Sequence, residues 1–315
     1  MAVSSENPKR RSRYQRQPQA GRPALTPIKQ ELLVSLARVP LASLPQLARL
    51  GGLTEKMARW HLRPLFDAGL IETIALPRSV LAEPEEARDP ALLYGSAPNI
   101  YQLSRKGHEL LLVSELIDAT DVPTRYGPQN WLFIRHELLV TEVYVWLTCC
   151  AQARPGQALC VWRQGQAAAI DLKRTVTPAM VKPDAWFTFS LASDGAVLVG
   201  MVEADRGTER GTALGSRWLQ KIEAYAALFA SGRLKEVTGY RNARILILTP
   251  TAARRDSLAA LLAERAAPGL AGRCWLAQKE VLAGKDIAAA LWRQPASPGL
   301  QPLLVLPPSS GEKGA

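Results

Sequence analysis

Three acidic side chains and a lysine fall close together between Val181 and Lys221. Asp184 follows a proline at the start of one apolar run, Glu203 and Asp205 close the next, and Lys221 lies on the helix expected after them. Lys182 to Leu191 (KPDAWFTFSL) and Ala196 to Glu203 (AVLVGMVE) are rich in strand-forming residues and are joined through Ser193-Asp194-Gly195, a strong hairpin signal. The two runs are expected to pair antiparallel. A turn centred on Ser193-Asp194 sets Asp184 opposite Glu203, and one centred on Asp194-Gly195 sets it opposite Asp205, so both registers bring carboxylates together. Glu203 and Asp205, two apart on a strand, share a face. Like charges this close repel unless a cation or a shared proton relieves them. A hard ion, Mg2+ or Mn2+, meets that need with oxygen ligands and would stabilise the charge on a phosphate attacked by water.

The elements that must position these groups can be read from the chain. A helix from about Thr212 to Ala230 carries an inward stripe of Leu214, Trp218, Tyr225 and Leu228 with Lys221 in its middle. A lysine there needs an acid, and the hairpin carboxylates are the nearest. Upstream, Trp131 to Thr148 reads as a strongly apolar helix whose inward stripe of Leu132, His136, Leu139, Val143 and Trp146 includes the histidine. Glu137 and Glu142 project roughly 100° or more from the centre of that stripe. Downstream, Arg244 to Thr249 reads as a buried strand, Ala252 to Ala266 as a helix, Cys274 to Ala277 as a short strand and Glu280 to Trp292 as a last helix. This alternation predicts an α/β sheet with covered faces. Arg206-Gly207-Thr208-Glu209, directly after the acidic strand, suits either the neighbourhood of a phosphate or a plain connecting loop.

An order of helix, strand, Pro-Asp strand, acidic strand, lysine-bearing helix and strand resembles the restriction-endonuclease-like PD-(D/E)xK core. The wording VKPDAWFTF, GMVEADRGTE and KIEAY is similar to the replication-relaxation family of mobile-element proteins, over roughly Leu25 to Arg293. The resemblance implies Asp184 and Glu203 as ligands of Mg2+ or Mn2+. In the general nuclease pattern a lysine stands two residues after the second acid; Asp205 occupies that position here, and the resemblance implies that Lys221 replaces the lysine from the neighbouring helix. It also favours His136 as a polar group brought towards the metal. On this reading Asp205 orients a metal-bound water and Lys221 stabilises the pentavalent phosphate, giving a metal-dependent DNA endonuclease. The alternative is the same fold with a decayed site, acting as a DNA-binding accessory or regulatory protein in plasmid or mobile-element replication and transfer. Asp205 in the lysine position favours the second; Asp184, Glu203 and Lys221 in workable positions favour the first.

The N-terminal part has another character. Leu25 to Val39 is expected as a helix with Thr26 as cap and Pro27 at its first position, Ser43 to Leu50 as a short helix, and Thr54 to Ala68 as a third after the Gly51-Gly52 turn. Pro64 within the third predicts a kink or an early end. Leu70 to Ala75 and Asn99 to Leu103 read as strands, the insert Pro77 to Pro98 as an exposed loop, and Ser104 to Leu116 as a helix. This order is a winged helix-turn-helix, whose third helix would present Thr54, Glu55, Lys56, Arg59 and Arg63 to a DNA groove. The expected organisation is a disordered basic arm over 1–24, a winged helix-turn-helix domain over 25–120, a PD-(D/E)xK nuclease-like α/β domain over 128–294 and a disordered tail over 295–315.

Charge supports a polyanionic partner. Against 28 acidic residues stand 39 basic ones, a formal charge of +11 and a pI near 9.7, which favours double-stranded DNA through counterion release. Residues 1 to 24, with Lys9, Arg10, Arg11, Arg13, Arg16 and Arg22 against Glu6, carry a net +5 and too few apolar side chains to fold alone. Arg10, Arg11 and Arg13 are expected to add non-specific, salt-sensitive affinity. Other replication, transfer or recombination proteins of the element are the further partners expected, and a homodimer is compatible with the sequence. No stretch approaches the roughly 20 apolar residues of a membrane span, and no apolar core follows the basic N-terminus, so a cytoplasmic location is expected. The four cysteines include no C-x-x-C pair, and no phosphate-binding loop or histidine pair suited to a nicking enzyme is present.

Overall fold

The computed structural model describes residues 12, 14–18, 21, 23–81, 97–118, 131–172, 180–191, 195–206, 211–284 and 286–304, without the side chains of 131–132 and 211–216. Contacts divide the chain into two compact units. The first comprises Met1–Ala37, Leu41–Thr120 and Thr124–Pro128, and the second Arg38–Pro40, Asp121–Pro123 and Gln129–Ala315.

In the first unit, α1 (Pro27–Arg38), α2 (Leu44–Leu50) and α3 (Glu55–Asp67) precede a three-stranded antiparallel sheet of β1 (Ala42–Ser43), β3 (Ile100–Leu103) and β2 (Ile71–Ile74), in that spatial order. α4 (Arg78–Leu81) lies in the insert, whose residues 82–96 are outside the described set, and α5 (Arg105–Val113) closes the unit. Local chemistry sets the helix starts. Ser43 and Gln46 form a reciprocal capping box on α2, Thr54 caps α3 through the Met57 N–H, and Ser104 caps α5 through the Gly107 N–H. Leu32, Leu33, Leu47, Leu62, Leu65, Ile71, Ile100 and Leu111 are wholly buried and make the core. α3 runs through Pro64 without ending there. The acceptor that Pro64 leaves open is the carbonyl of Trp60, a residue 71% exposed, so water can satisfy it.

The second unit is a seven-stranded mixed sheet in the order β12-β11-β10-β9-β8-β7-β4. Its strands are β4 (Gln157–Gln164), β7 (Ala185–Leu191), β8 (Val197–Ala204), β9 (Arg244–Thr249), β10 (Cys274–Gln278), β11 (Leu291–Arg293) and β12 (Leu300–Pro302); β5 (Ile170–Asp171) and β6 (Met180–Val181) pair separately. The pairs β8 with β9 and β9 with β10 are parallel and the others antiparallel. α7 (Gly211–Ala230), α8 (Arg233–Thr238), α9 (Ala252–Arg265) and α10 (Pro268–Ala271) contribute Trp218, Tyr225, Leu228, Leu234, Leu258, Leu262 and Leu270 to a core that includes Trp186, Met201, Ile245 and Leu276 of the strands. α6 (Trp131–Ala153) packs Tyr144 on Trp162 and Trp146 on Trp292. The expected α/β class holds: helices cover a mixed sheet.

Two sequence expectations fail at the C-terminal end. The segment from Glu280 is not a helix: a short 3-10 turn over Lys279–Ala283 leads to strand β11. Gly284 weakens helix propagation there by about 1 kcal/mol, and the strand places Trp292 wholly inside against Trp146. The region from Pro295 was expected to be disordered, yet β12 pairs with β11, and Leu303 and Leu304 are buried. Residues 305–315 lie outside the described set.

Candidate functional site

The register of β7 on β8 brings the acids together. Ala185 pairs with Val202, and the Asp184 N–H donates to the Val202 carbonyl at 3.0 Å, so Asp184 continues the ladder opposite Glu203, the first of the two expected registers. The turn residues 192–194 themselves are outside the described set. The Asp205 N–H donates to Leu248 of β9 at 2.8 Å, which holds the third acid at the end of the same strand.

Each acid meets its own cation. Asp184 Oδ1 lies 3.1 Å from His136 Nε2, and its Oδ2 accepts from the Ala204 N–H at 2.8 Å. Glu203, 1% exposed, accepts from Lys221 Nζ on one oxygen and from Tyr225 Oη at 2.7 Å on the other. Asp205 takes a two-point contact from Arg254, Nε at 3.0 Å and Nη2 at 3.1 Å, with the Trp218 indole N–H at 3.4 Å. The Lys221 ammonium also sits 5.2 Å from the centre of the Trp218 ring.

The protonation behaviour follows from these partners. Burial opposes charge on His136, but the Asp184 hydrogen bond and charge outweigh it and raise the imidazole above its usual value. Burial would raise Asp184, yet His136, Lys221 and the Ala204 N–H hold it below the usual carboxylate range. At Glu203 burial wins and pushes the carboxyl up, with Lys221 pulling the other way. Lys221 is disfavoured by burial but held up by Glu203 and Asp184, and Tyr225 is pushed well up by burial and by the Glu203 charge.

This donor set does not fit a divalent cation as it stands. Every oxygen of the three carboxylates already accepts a hydrogen bond from the protein, Glu203 has almost no solvent access, and among the described residues no group of three or more His, Cys, Asp or Glu side chains could hold a metal. The repulsion that called for a metal in the sequence is relieved by His136, Lys221 and Arg254. The structure thus brings together Asp184, Glu203, Asp205, Lys221 and His136, and it adds two neighbours that the sequence reading left without roles. Tyr225 was readable, four residues beyond Lys221 on the inward stripe. Arg254 carried a weaker signal: a cation in the first turn of a helix opposes the helix dipole and so calls for an acid nearby. Glu137, expected to project away, accepts from Gln164 Nε2 at 2.9 Å. Arg206 is exposed and near enough to disfavour charge on His136; 207–209 lie outside the described set.

On the first unit, α3 buries Ala58, His61, Leu62, Leu65 and Phe66 and exposes Thr54, Glu55, Lys56 and Arg59. Among the described residues neither Lys56 nor Arg59 has a hydrogen bond or ion pair. Arg63, expected as a third free cation on this face, is committed: its Nε donates to Asp67 at 2.9 Å and its Nη2 to the Gln15 carbonyl at 2.7 Å. Arg16, expected in a disordered arm, donates to Glu72 at 2.6 Å and to the Phe66 carbonyl at 3.0 Å and stacks over the Phe66 ring. Side-chain anchoring, absent from any reading of composition, orders that part of the segment. Arg10, Arg11 and Arg13 lie outside the described residues.

No helix among the described residues is long and apolar enough to cross a membrane. No curated protein and no solved structure matches the chain. A family model described as replication-relaxation matches residues 33–242, a span that runs from α1 through the acidic strand and Lys221 and ends just before β9. By that match the chain belongs to the replication-relaxation family, which associates it with the replication or relaxation of plasmids and mobile elements.

Proposed function

We propose that the chain is a duplex-DNA-binding protein of plasmid or mobile-element replication, with the first unit read as a winged helix-turn-helix and the second as a PD-(D/E)xK-like domain that binds without cutting. The observation that carries the non-cutting half is that all three carboxylates are already engaged by cations and donors of the protein, His136, Lys221, Arg254 and Tyr225. Binding is supported by Lys56 and Arg59, free and exposed on α3, and by the +11 charge of the chain. One observation favours the second reading, metal-dependent cleavage: Asp184, Glu203 and Lys221 do converge at the strand ends, where a nuclease would need them.

Two assays on the full-length protein test this. In gel-shift titrations across a salt series, duplex affinity is expected to fall steeply with salt, and Lys56→Ala or Arg59→Ala should each lower the slope of log K against log salt by about 1. Affinity indifferent to salt would refute the binding reading. Supercoiled plasmid incubated with Mg2+ or Mn2+ is expected to stay supercoiled. Nicked or linear product that disappears in Asp184→Ala would replace the binding reading with the enzyme reading.

A further inference from the structure

The exposed face of α3 is not uniformly polar. Met57 is 48% and Trp60 71% exposed, and among the described residues α3 is the one element that carries two large exposed hydrophobic side chains. At about 100° of rotation per residue, the side of α3 turned from the core carries two adjacent rows, with exposed Glu55 at the outer edge of the first. One row is basic, exposed Lys56 and Arg59 with half-buried, paired Arg63; the other is apolar, exposed Met57 and Trp60 with half-buried Pro64. The core side of the helix, centred on Ala58, Leu62 and Leu65, lies away from the apolar row. The Trp60 ring meets His61 edge-on, with centroids 4.7 Å apart, and most of its surface is exposed. Capping by Thr54 and the Arg63–Asp67 pair hold the helix that carries this face.

Resting on the DNA-binding reading above, we infer that Met57 and Trp60 are the base-contacting part of α3 and that they recognise thymine through its 5-methyl group. A major groove admits one α-helix, its walls are phosphates, and the thymine methyl is the apolar feature presented on its floor. A helix with a basic row beside an apolar row matches that layout: Lys56 and Arg59 reach a phosphate wall while Met57 and Trp60 cover the floor. The neighbouring free cations select a polyanion over an apolar protein surface as the occupant. The site recognised is a thymine-containing duplex, with the phosphate contacts fixing register and the apolar row supplying sequence preference.

The test uses duplexes retained by the full-length protein from a random-sequence pool, each made with thymine and with deoxyuridine, which lacks only the methyl. Replacement is expected to weaken wild-type binding by about fourfold per contacted methyl, the equivalent of one buried CH2 group. Trp60→Ala should bind the thymine duplex more weakly and lose the discrimination, while Lys56→Ala should weaken both duplexes equally. Since Trp60 is exposed, its variant is expected to melt with the wild type. Duplexes bound without discrimination by the wild type would overturn the inference and leave the DNA-binding reading standing. Discrimination that persists in Trp60→Ala would overturn it too. A pool from which no duplex is retained would sink both.

Discussion

Replacing Lys221 by methionine isolates the charge balance at the centre of the second unit. Methionine keeps the length and apolar stem of the side chain and removes the cation, leaving Glu203 at 1% exposure with Tyr225 as its remaining side-chain donor. Removing one partner of a buried pair commonly costs about 3–5 kcal/mol, and the retained Tyr225 bond and the partial exposure of Lys221 place this case near 3 kcal/mol. For a unit of this size that is a fall in Tm of roughly 6–12 °C. The loss depends on pH. Burial already pushes the Glu203 carboxyl up, and the variant removes the lysine that pulled it down, so its folded pKa moves further above the unfolded one. A carboxyl raised in this way is tolerated where it is protonated, and stability is lost as pH rises through the folded value. Denaturant unfolding of Lys221→Met should therefore show a small deficit near pH 5 and the full deficit near pH 8. The double variant Glu203→Gln, Lys221→Met should recover most of the loss at pH 8. An equal deficit at both pH values, or a double variant no better than the single one, would refute the argument that charge rather than packing is at stake.

Arg254→Met should remove the cation from Asp205, whose side chain is 8% exposed, and lower stability in denaturant titration by about 3 kcal/mol, with Asp205→Asn milder because a neutral amide is left behind. Gly200 faces Phe187 across the β7–β8 ladder, and a Cβ there would come within 2.3 Å of the ring; Gly200→Ala should lose about 1–3 kcal/mol by thermal melting, partly regained with Phe187→Leu. Thiol labelling of the native protein should modify exposed Cys160 first and leave Cys149, Cys150 and Cys274 until unfolding, since all three are buried and burial pushes the Cys274 thiol up to about 12.

What could be read in the chain was local. Alternation of side chains across a strand placed Glu203 and Asp205 on one face, the Asp-Gly turn signal narrowed the register to two choices, and helical periodicity turned Lys221 inward; the β7–β8 pairing realises the first of those registers. Thr54, Ser43 and Ser104 mark their helix starts because a cap is a contact within four residues. Long-range choices were decided by the tertiary structure. Asp205 and Arg254 are 49 residues apart, and only the parallel pairing of β8 with β9 brings the start of α9 beside the acidic strand. The same applies to Trp292, whose segment has helical periodicity but is a strand that buries the ring against Trp146, and to Arg16, which pairs at the surface with Glu72, 56 residues away. Sequence spacing thus determined which charges would need partners. The fold decided which partners they found, because a buried carboxylate accepts whichever donor the packing of distant elements brings within hydrogen-bonding reach.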